Sequence, residues 1–487
     1  MKNVFGFDII YSKVFVKYQT STKFFLLINP TKIVGNNEGG IFMSKIVLIG
    51  ANHAGTACAN TILDNYKDEE LVIFDQNSNI SFLGCGMALW IGKQIKGAEK
   101  LFYCSKEVFE KKGATVHMET KVEKIDYDKK IVYATDKDGN KIEESYDKLV
   151  LATGSQPVLP NIEGMDLENV QKVKIFQDAQ SVIDKLNHEE IKKVVVVGAG
   201  YIGTELAEAF KRLGKDSVLI ERGDSVLKSY YDEKFCKKME ENLKNHGVEL
   251  VFNENVVKLE GKDGKVNKVI TDKNEYDCDM VIMSIGFKPN SVLAQDHLKV
   301  DDKKAIVTDK HQQTSDENVY AVGDSTTIYN NSTGKFEYIA LATNAVRSGI
   351  VAGHNVCGTK LESNGVQGSN GIKIYDLCMV STGLTVRNAK EKGIEVEYTD
   401  FTDLQKPAFM ENDNKEVTIR IVYDKNSREI KGCQIMSEYD ISMMIHMFSL
   451  AIQEHVTIDK LALTDIFFLP HYNQPYNYVT MAAIQAL

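Results

Sequence analysis

The amino-acid sequence predicts an α/β protein with two Rossmann-like nucleotide-binding domains and a C-terminal α+β domain. A short apolar strand, a glycine-containing turn and a helix follow one another twice, around residues 50–55 and 198–203. Near the C-terminus, strands are predicted at 416–423 and 430–436 and an apolar helix at 443–453. The chain has 487 residues, which suggests about three domains at roughly 150 residues each.

Composition and charge narrow the class of protein. Lysine and arginine number 58 and aspartate and glutamate 68, so the net charge is -10. Such a surface repels phosphate backbones and anionic lipids, and we expect neither a nucleic acid nor a membrane as partner. No run approaches the ~18 apolar residues of a spanning helix, which excludes an integral membrane protein. The eight cysteines are scattered and form no metal-ligand spacing, so we predict a cytoplasmic protein with no metal site.

The first 42 residues stand apart from the predicted fold. Their apolar run at 24–28 is too short to span a membrane, and no small-residue cleavage site follows it. Met43 then opens the first predicted strand. We interpret residues 1–42 as an N-terminal extension, either non-native through a misplaced start codon or disordered, with a targeting segment as the alternative.

The first glycine turn follows the apolar strand 45–49. Gly50 and Gly55 permit a tight turn and close packing of the next helix, whose N-terminal N–H groups can hold a pyrophosphate. Asn52 replaces the middle glycine of the usual pattern. A second strand ends at Asp75, about 20 residues on, where a ribose hydroxyl would be bound.

The second copy, Gly198-Ala199-Gly200-Tyr201-Ile202-Gly203, keeps all three glycines, and the following strand ends at Glu221. An acid at this point accepts hydrogen bonds from a free 2′-hydroxyl and repels a 2′-phosphate. Asp75 therefore favours the adenosine end of FAD, and Glu221 favours NADH. Arg222, which follows Glu221, could bind a 2′-phosphate, so NADPH stays as the less favoured alternative.

Two further segments predict that the first domain is discontinuous. The strand 149–155 breaks at Gly154, where the chain would leave the domain, and the strand 318–324 ends in Gly323-Asp324. The Asp324 carboxylate would bind a polyhydroxyl chain such as that of a flavin. The predicted domains are an FAD-binding domain at 43–155 and 285–365, an NADH-binding domain at 156–284, and a C-terminal domain at 366–487 after a flexible connection at 365–371.

The segment Ser81-Phe82-Leu83-Gly84-Cys85-Gly86-Met87-Ala88-Leu89-Trp90 carries a lone cysteine between two glycines. With it, the chain from Met43 onward resembles the pyridine nucleotide–disulfide oxidoreductase superfamily. It is most similar to the single-cysteine branch of NADH oxidases, NADH peroxidases and coenzyme A-disulfide reductases. The segments 338–345 and 467–475 resemble the stretches that pass the isoalloxazine and that reach the partner's active site. No second cysteine follows Cys85 at the spacing of the dithiol reductases.

The resemblance implies a set of site residues. Cys85 and His53 are implied as catalytic residues. The implied FAD contacts are Gly50, Asn52, His53, Ala54, Gly55, Asp75, Cys85, Val122, Thr153, Lys174, Asp324, Leu341, Ala342 and Thr343. The implied NADH contacts are Gly198, Gly200, Tyr201, Ile202, Gly203, Glu221, Tyr230 and Gly286. Tyr201 resembles the aromatic residue that covers the flavin until NADH displaces it.

The chemistry of Cys85 follows from its neighbours. A thiol is a poor nucleophile at neutral pH unless a helix N-terminus or a positive charge stabilises its thiolate. A helix predicted at 87–91 would place Cys85 near a positive helix end, and His53 could hold or donate a proton. We therefore expect a stabilised thiolate. The resemblance implies hydride transfer from NADH to FAD, oxidation of Cys85 to a sulfenic acid, and its reduction by a second NADH.

The implied activity is that of an NADH oxidase reducing O2 to water, which serves oxygen detoxification and NAD+ regeneration. NADH and O2 are the implied substrates, and a homodimer is the implied assembly. NADH peroxidase and coenzyme A-disulfide reductase are the alternative enzymes. An FAD- and NADH-binding redox sensor without turnover is the alternative from another class.

Overall fold

The structure, a computed structural model, describes residues 44–187, 191–294 and 296–487. The N-terminal extension predicted at 1–42 lies outside these residues. Within them, no helix combines the length and the apolar character needed to cross a membrane.

Strands outnumber helices in the described chain, and several strands follow one another without an α-helix between them. The strands are β1 Ser44–Ile49, β2 Glu69–Phe74, β3 Thr115–His117, β4 Thr120–Asp126, β5 Ile131–Asp136, β6 Lys141–Ser145, β7 Lys148–Leu151, β8 Ser155–Pro157, β9 Val170–Lys172, β10 Lys193–Val197, β11 Asp216–Glu221, β12 Glu249–Phe252, β13 Val256–Lys262, β14 Lys265–Thr271, β15 Glu275–Asp277, β16 Met280–Met283, β17 Phe287–Pro289, β18 Val319–Ala321, β19 Ile328–Asn330, β20 Lys335–Glu337, β21 Asn370–Ile374, β22 Leu377–Gly383, β23 Val396–Leu404, β24 Glu416–Asp424 and β25 Ile430–Ser437. The α-helices are His53–Asn65, Met87–Ile91, Lys106–Lys111, Phe176–Leu186, Tyr201–Arg212, Glu233–Asn245, Ala342–Val356, Val386–Glu391, Met444–Gln453, Ile458–Ala462 and Tyr478–Ile484.

The first sheet is parallel, with the strand order β3-β2-β1-β7-β18. Its central strand β1 buries Ile46, Val47 and Leu48 completely, as expected for a parallel strand that is covered on both faces. β18 joins this sheet although the whole second sheet precedes it in the chain. An antiparallel sheet of β4, β5 and β6 belongs to the same region.

The second sheet repeats this plan. It is parallel, with the order β12-β11-β10-β16-β9, and it too is accompanied by an antiparallel sheet, here of β13, β14 and β15. The two Rossmann-like units predicted from the glycine turns are therefore confirmed. We propose the domain boundaries given above from these sheet memberships.

The C-terminal region is an antiparallel sheet in the order β21-β22-β25-β24-β23 with helices packed on it. Phe448, Ile458 and Val479, one from each of the last three helices, are fully buried in its core. The predicted strands at 416–423 and 430–436 and the helix at 443–453 are confirmed within one residue. The region is α+β, as predicted.

The prediction of a flexible connection at 365–371 is wrong. Val366 is buried, its carbonyl oxygen accepts a hydrogen bond from the Asn331 N–H over 2.9 Å, and β21 already begins at Asn370. Glycine-rich composition suggested a linker, but one apolar side chain and the strand pairing anchor the segment.

A buried ionic group joins the second nucleotide-binding unit to the C-terminal sheet. Asp232, at the start of the helix Glu233–Asn245, lies 3.3 Å from the Arg420 guanidinium. It also accepts a hydrogen bond from the Gln434 side-chain amide at 2.7 Å. Arg420 binds Asp400 at 2.7 and 2.8 Å. Each charge in this group is therefore paired within the protein.

Candidate active site

The first glycine turn leads from β1 into the helix that begins at His53, with Asn52 as N-cap. A Cβ atom on Gly55 would lie 1.9 Å from the carbonyl oxygen of Gly50, so only glycine allows the helix to approach the turn so closely. The free N–H groups of this helix start lie at the carboxyl edge of the parallel sheet. This is the arrangement that holds a dinucleotide pyrophosphate.

Asp75, the acid predicted to contact a ribose, is buried beside that turn. Its carboxylate accepts hydrogen bonds from the backbone N–H groups of Ala51 and Asn77, each over 2.8 Å. Burial raises the pKa of Asp75, and these hydrogen bonds oppose the rise. The side chain is thus fixed next to the position that a pyrophosphate would occupy.

The second turn has the same geometry. A Cβ on Gly203 would lie 1.8 Å from the Gly198 carbonyl oxygen, whereas a Cβ on Gly200 would meet open space. Glu221 accepts hydrogen bonds from the N–H groups of Ala199 and Gly223, each over 2.8 Å. The open face of Gly200 at the start of the helix Tyr201–Arg212 leaves room for a pyrophosphate, so these residues fit a bound NADH.

Cys85 is the one exposed cysteine, since the other seven, all of them within the described residues, are buried or half-buried. It lies in the short 3-10 turn Gly84–Gly86, directly before the helix Met87–Ile91, as predicted. The glycine on each side adds no side chain beside the sulfur. The thiol is therefore open to a reacting molecule, unlike a structural buried cysteine.

The expected stabilisation of the Cys85 thiolate is not found in the described polypeptide. Removal of water by the surrounding protein raises the pKa of Cys85, and the carboxylates of Glu205 and Asp324 raise it further, while Lys174 lowers it. The helix that follows Cys85 has only five residues, so its positive end is weak. Cys85 is consequently a thiol, and a base must remove its proton.

A polar cluster of Lys174, Ser155 and Asp324 lies near Cys85. The Lys174 ammonium is 2.8 Å from the Ser155 hydroxyl and 3.5 Å from the Asp324 carboxylate, and Ser155 donates to Asp324 over 3.0 Å. Asp324 stands in the 3-10 turn Gly323–Ser325. Three distant stretches of sequence thus meet here, and Lys174 comes from the predicted NADH-binding domain.

His53 shares this electrostatic environment. Burial lowers the pKa of His53, the Asp324 carboxylate opposes this effect, and Lys174 adds to it. The same two charged groups act on Cys85, which supports the prediction that His53 and Cys85 share one site. His53 Nδ1 lies 2.9 Å from the hydroxyl oxygen of Tyr103. The imidazole is neutral near pH 7 and can act as a base.

The predicted contacts at 341–343 lie beside the same cluster. Leu341 is the N-cap of the helix Ala342–Val356, and a small pocket is lined by Leu341, Asp324 and Asn344. The hydroxyl of Tyr338 is buried next to Asp324 and makes no hydrogen bond of good geometry with a described residue. A buried hydroxyl beside a carboxylate fits the polar edge of a flavin, and we take this as support for an FAD site.

Tyr201 packs against the aromatic side chains of the second nucleotide-binding unit. Its ring centroid is 4.3 Å from that of Tyr230, and its hydroxyl is 3.0 Å from the Tyr231 hydroxyl and hydrogen-bonded to the Asn370 side-chain oxygen. Burial raises the pKa of Tyr201. In this arrangement the hydroxyl of Tyr201 is tied to the C-terminal sheet.

The remaining predicted contacts differ in their surroundings. Ala54 is buried, and a Cβ on Gly323 would lie 2.9 Å from the Ala54 side chain, so the Asp324 turn rests on the His53 helix. Thr153 donates to the Asn290 carbonyl oxygen over 2.5 Å. Val122 is buried in the core behind the first sheet, Ile202 is half-buried, and Gly286 faces open space.

Sequence reasoning missed Tyr103, Glu205 and Ser155. Glu205 follows Tyr201 by one helical turn, and that spacing was the available signal. Burial, with help from the neighbouring Glu208 carboxylate, raises the pKa of Glu205 to about 7. Tyr103 carries no recognisable local pattern, because only the folded chain brings it to His53.

Two family models match this chain. The model of the pyridine nucleotide-disulphide oxidoreductases matches residues 44–349, and that of the corresponding dimerisation domain matches residues 370–477. The chain belongs to the pyridine nucleotide-disulphide oxidoreductase family. Members of the family bind FAD and a nicotinamide nucleotide. This agrees with the two cradles of the structure, by which we mean the glycine turn 50–55 with Asp75 and the glycine turn 198–203 with Glu221.

Individual members of the family are similar along nearly the whole chain. A curated NADH oxidase of Streptococcus pyogenes is 58% identical over 456 residues, which cover 91% of this chain and 100% of that protein. The solved water-forming NADH oxidase of Lactobacillus brevis, bound to NADH, is 38% identical with a TM-score of 0.88, covering 91% of this chain and 98% of that one. The reduced CoADR-RHD protein of Bacillus anthracis is 25% identical with a TM-score of 0.87, covering 91% and 80%.

Proposed function

We propose that this protein is an FAD-dependent NADH oxidase that reduces O2 to water through Cys85. The observation that carries the proposal is the exposed Cys85 thiol. The charges of Asp324 and Lys174, which connect the two nucleotide-binding units, act on both Cys85 and His53. The 58% identity to a streptococcal NADH oxidase and the fold of the water-forming enzyme support it. Oxygen detoxification and NAD+ regeneration are the proposed roles.

The two cradles divide the nucleotides between them. The turn at 50–55 with Asp75 would hold the adenosine end of FAD, and Asp324, Lys174 and the segment 341–343 would hold the flavin end. The turn at 198–203 would hold NADH, with the ribose hydroxyls on Glu221. When bound, FAD supplies hydride acceptance and oxygen reduction.

Cys85 and His53 carry the chemistry that belongs to the chain itself. Neutral His53 takes the proton of the Cys85 thiol, and the sulfur attacks one oxygen of hydrogen peroxide, which O2 yields with the two electrons of the first NADH. The O–O bond breaks, His53 returns the proton to the departing oxygen, and water leaves a sulfenic acid on Cys85. The two electrons and the proton of a hydride from a second NADH, with one further proton from water, then restore the thiol and release a second water. Burial raises the pKa of Glu205 to about 7, so this carboxyl group can exchange a proton near neutral pH.

We propose a homodimer that forms through the C-terminal domain and acts in the cytoplasm. The matched dimerisation model supports this assembly. Phe467 and Tyr476 expose 67% and 73% of their surfaces, which is unusual for large apolar side chains on a monomer. The segment 467–475, which begins at Phe467 and directly precedes Tyr476, would reach the partner's active site.

One assay separates the proposed oxidase from its alternatives. NADH consumption is measured with O2, with H2O2 and with coenzyme A disulfide as the acceptor, together with O2 uptake and peroxide release. The oxidase consumes two molecules of NADH per O2 and releases no peroxide. Preferential use of H2O2 or of the disulfide would identify the other two enzymes, and no turnover with any acceptor would indicate a sensor.

A further inference from the structure

The contact between His53 and Tyr103 involves Nδ1 of the imidazole. His53 Nδ1 and the Tyr103 hydroxyl oxygen are 2.9 Å apart, and the two ring planes are nearly parallel, with an angle of 8° between them. This geometry suits a hydrogen bond to a ring nitrogen. Nε2 is then the nitrogen left for a reacting group.

Tyr103 is itself held by the chain that precedes Cys85. The hydroxyl of Ser81 donates to the Cys104 carbonyl oxygen over 2.8 Å and accepts from the N–H groups of Cys104 and Tyr103 over 2.8 and 3.1 Å. Ser81 is completely buried. The Leu83 N–H also binds the Leu101 carbonyl oxygen over 2.7 Å. Tyr103 therefore has a fixed position relative to the segment that carries Cys85.

The surrounding hydrogen bonds allow Tyr103 to accept a proton from His53. The Thr56 hydroxyl, the other side-chain neighbour of the Tyr103 hydroxyl, donates its proton to the Ala51 carbonyl oxygen over 2.8 Å. Its oxygen can then accept the Tyr103 proton. Burial raises the pKa of Tyr103 to about 12, so that proton stays on the phenol. The remaining lone pairs of the Tyr103 oxygen can accept the Nδ1 proton of His53.

We propose that Tyr103 is a positioning residue that fixes the orientation and tautomer of His53. The imidazole donates its Nδ1 proton to Tyr103, and the lone pair on Nε2 is left to take the proton of Cys85. This is the logic by which a third group orients the base of a nucleophile. The inference rests on the proposed function for its catalytic consequence, while the tautomer itself is a property of the fold.

The test compares the FAD-loaded wild-type protein with Tyr103→Phe. Nitrogen-15 spectra of histidine-labelled protein, assigned with His53→Gln, report which ring nitrogen carries the proton. We expect the Nδ1-protonated form in the wild type and a mixture of both forms in the variant. Mass spectrometry after addition of H2O2 to NADH-free protein gives the rate of sulfenic acid formation on Cys85. We expect that rate to fall roughly tenfold in Tyr103→Phe. This is less than the full contribution of a positioned general base, because the variant keeps His53 and loses only its fixed orientation.

Tyr66→Phe is the matched control. The Tyr66 hydroxyl lies 2.8 Å from Nδ1 of His354, in a bond of the same kind at the opposite end of the 13-residue helix that begins at His53. It should change neither readout. An Nε2-protonated His53 in the wild type, or an unchanged tautomer in Tyr103→Phe, would overturn the inference. If wild-type Cys85 formed no sulfenic acid, the proposed function would fail. The nitrogen-15 spectra would still test whether Tyr103 fixes the tautomer of His53.

Discussion

The ammonium group of Lys174 lies 3.5 Å from the carboxylate of Asp324, although 150 positions of sequence separate the two residues. Lys174 follows β9, an edge strand of the second parallel sheet, and Asp324 follows β18 of the first sheet. The ion pair therefore connects the two nucleotide-binding units beside Cys85. Both side chains are partly shielded from solvent, so their charges act on the site with little screening.

Replacing Lys174 with methionine should make Cys85 a weaker nucleophile. Lys174 lowers the pKa of the Cys85 thiol, so its loss should raise that pKa and shift the pH profile of Cys85 alkylation by iodoacetamide to higher pH. Mass spectrometry of the FAD-loaded protein gives the rates. Lys185→Met, which removes a lysine paired with Asn169 and Glu168, is the control, and identical profiles for both variants would refute the assignment.

Replacing Cys85 with serine should redirect oxygen reduction from water to hydrogen peroxide. A serine hydroxyl does not take an oxygen atom from peroxide, so the ratio of NADH to O2 should fall from two towards one while FAD remains bound. An oxygen electrode and a peroxide assay measure both quantities. Cys378→Ser changes a half-buried thiol elsewhere and should leave water as the product. Continued water formation by Cys85→Ser would exclude the sulfenic acid cycle.

Replacing Glu221 with alanine should weaken the use of NADH more than that of NADPH. The carboxylate is held by Ala199 and Gly223 where the ribose hydroxyls would lie. A hydrogen bond to a charged group contributes about 1.5–3 kcal/mol, so the KM for NADH should rise roughly tenfold or more. Steady-state kinetics with each coenzyme measure both KM values.

Asp224→Asn is the control for Glu221, because it changes an acidic residue of the same loop. The Asp224 carboxylate is exposed and pairs with the Lys228 ammonium at 2.6 Å, so its loss should leave the KM for NADH and that for NADPH unchanged. Equal losses with both coenzymes in Glu221→Ala would contradict the assignment of Glu221 to the ribose.

Replacing Glu205 with glutamine should flatten the pH dependence of stability. The folded protein raises the pKa of Glu205 from 4.5 to about 7, so folding favours the protonated carboxyl group. Its stabilising contribution is fully present below about pH 4.5 and is lost as the pH rises through about 7. Urea unfolding of both proteins at pH 5 and pH 8 measures this. Glu205→Gln should gain stability relative to the wild type at pH 8, and an equal difference at both pH values would contradict the expectation.

Replacing Arg420 with methionine should destabilise the protein strongly. The substitution leaves the buried Asp232 without its cationic partner, and loss of one member of a buried ion pair costs about 3–5 kcal/mol. Urea unfolding gives the change in free energy. Lys237→Met is the control. It removes an exposed lysine that pairs with Glu233 on the helix that follows Asp232, and it should lower the free energy of unfolding by less than about 1 kcal/mol. Similar decreases in the free energy of unfolding for both variants would show that the Asp232–Arg420 pair contributes no more to stability than an exposed ion pair.

Local pattern was enough to predict the strands and turns that form the two cradles. The runs before Gly50 and Gly198 are buried parallel strands. Asp75 directly follows the next strand of the first unit, and Glu221 ends the next strand of the second. These features are predictable because glycine spacing and apolar runs are properties of neighbouring residues. Cys85 was predicted from its flanking segment, and it is the exposed cysteine.

Contacts between distant segments could not be predicted in this way. Tyr103 reaches His53 across 50 positions, and Asp232 reaches Gln434 across 202; neither pair leaves a local signal. The sequence predicts a lowered pKa for Cys85 because it suggests a helix N-terminus and His53 beside the thiol. Burial raises that pKa most, and the carboxylates of Glu205 and Asp324 raise it further; both effects arise only with the tertiary fold.

The late position of β18 in the chain has a consequence for synthesis on the ribosome. Lys148 and Asn318, at the junction of β7 and β18, are 170 positions apart and are joined by a hydrogen bond of 3.0 Å. The five strands of the second sheet all lie between them, so that sheet can be complete while β7 still has an unpaired edge. A nascent chain that stalls in this interval exposes that edge to other chains, which is the situation that promotes aggregation.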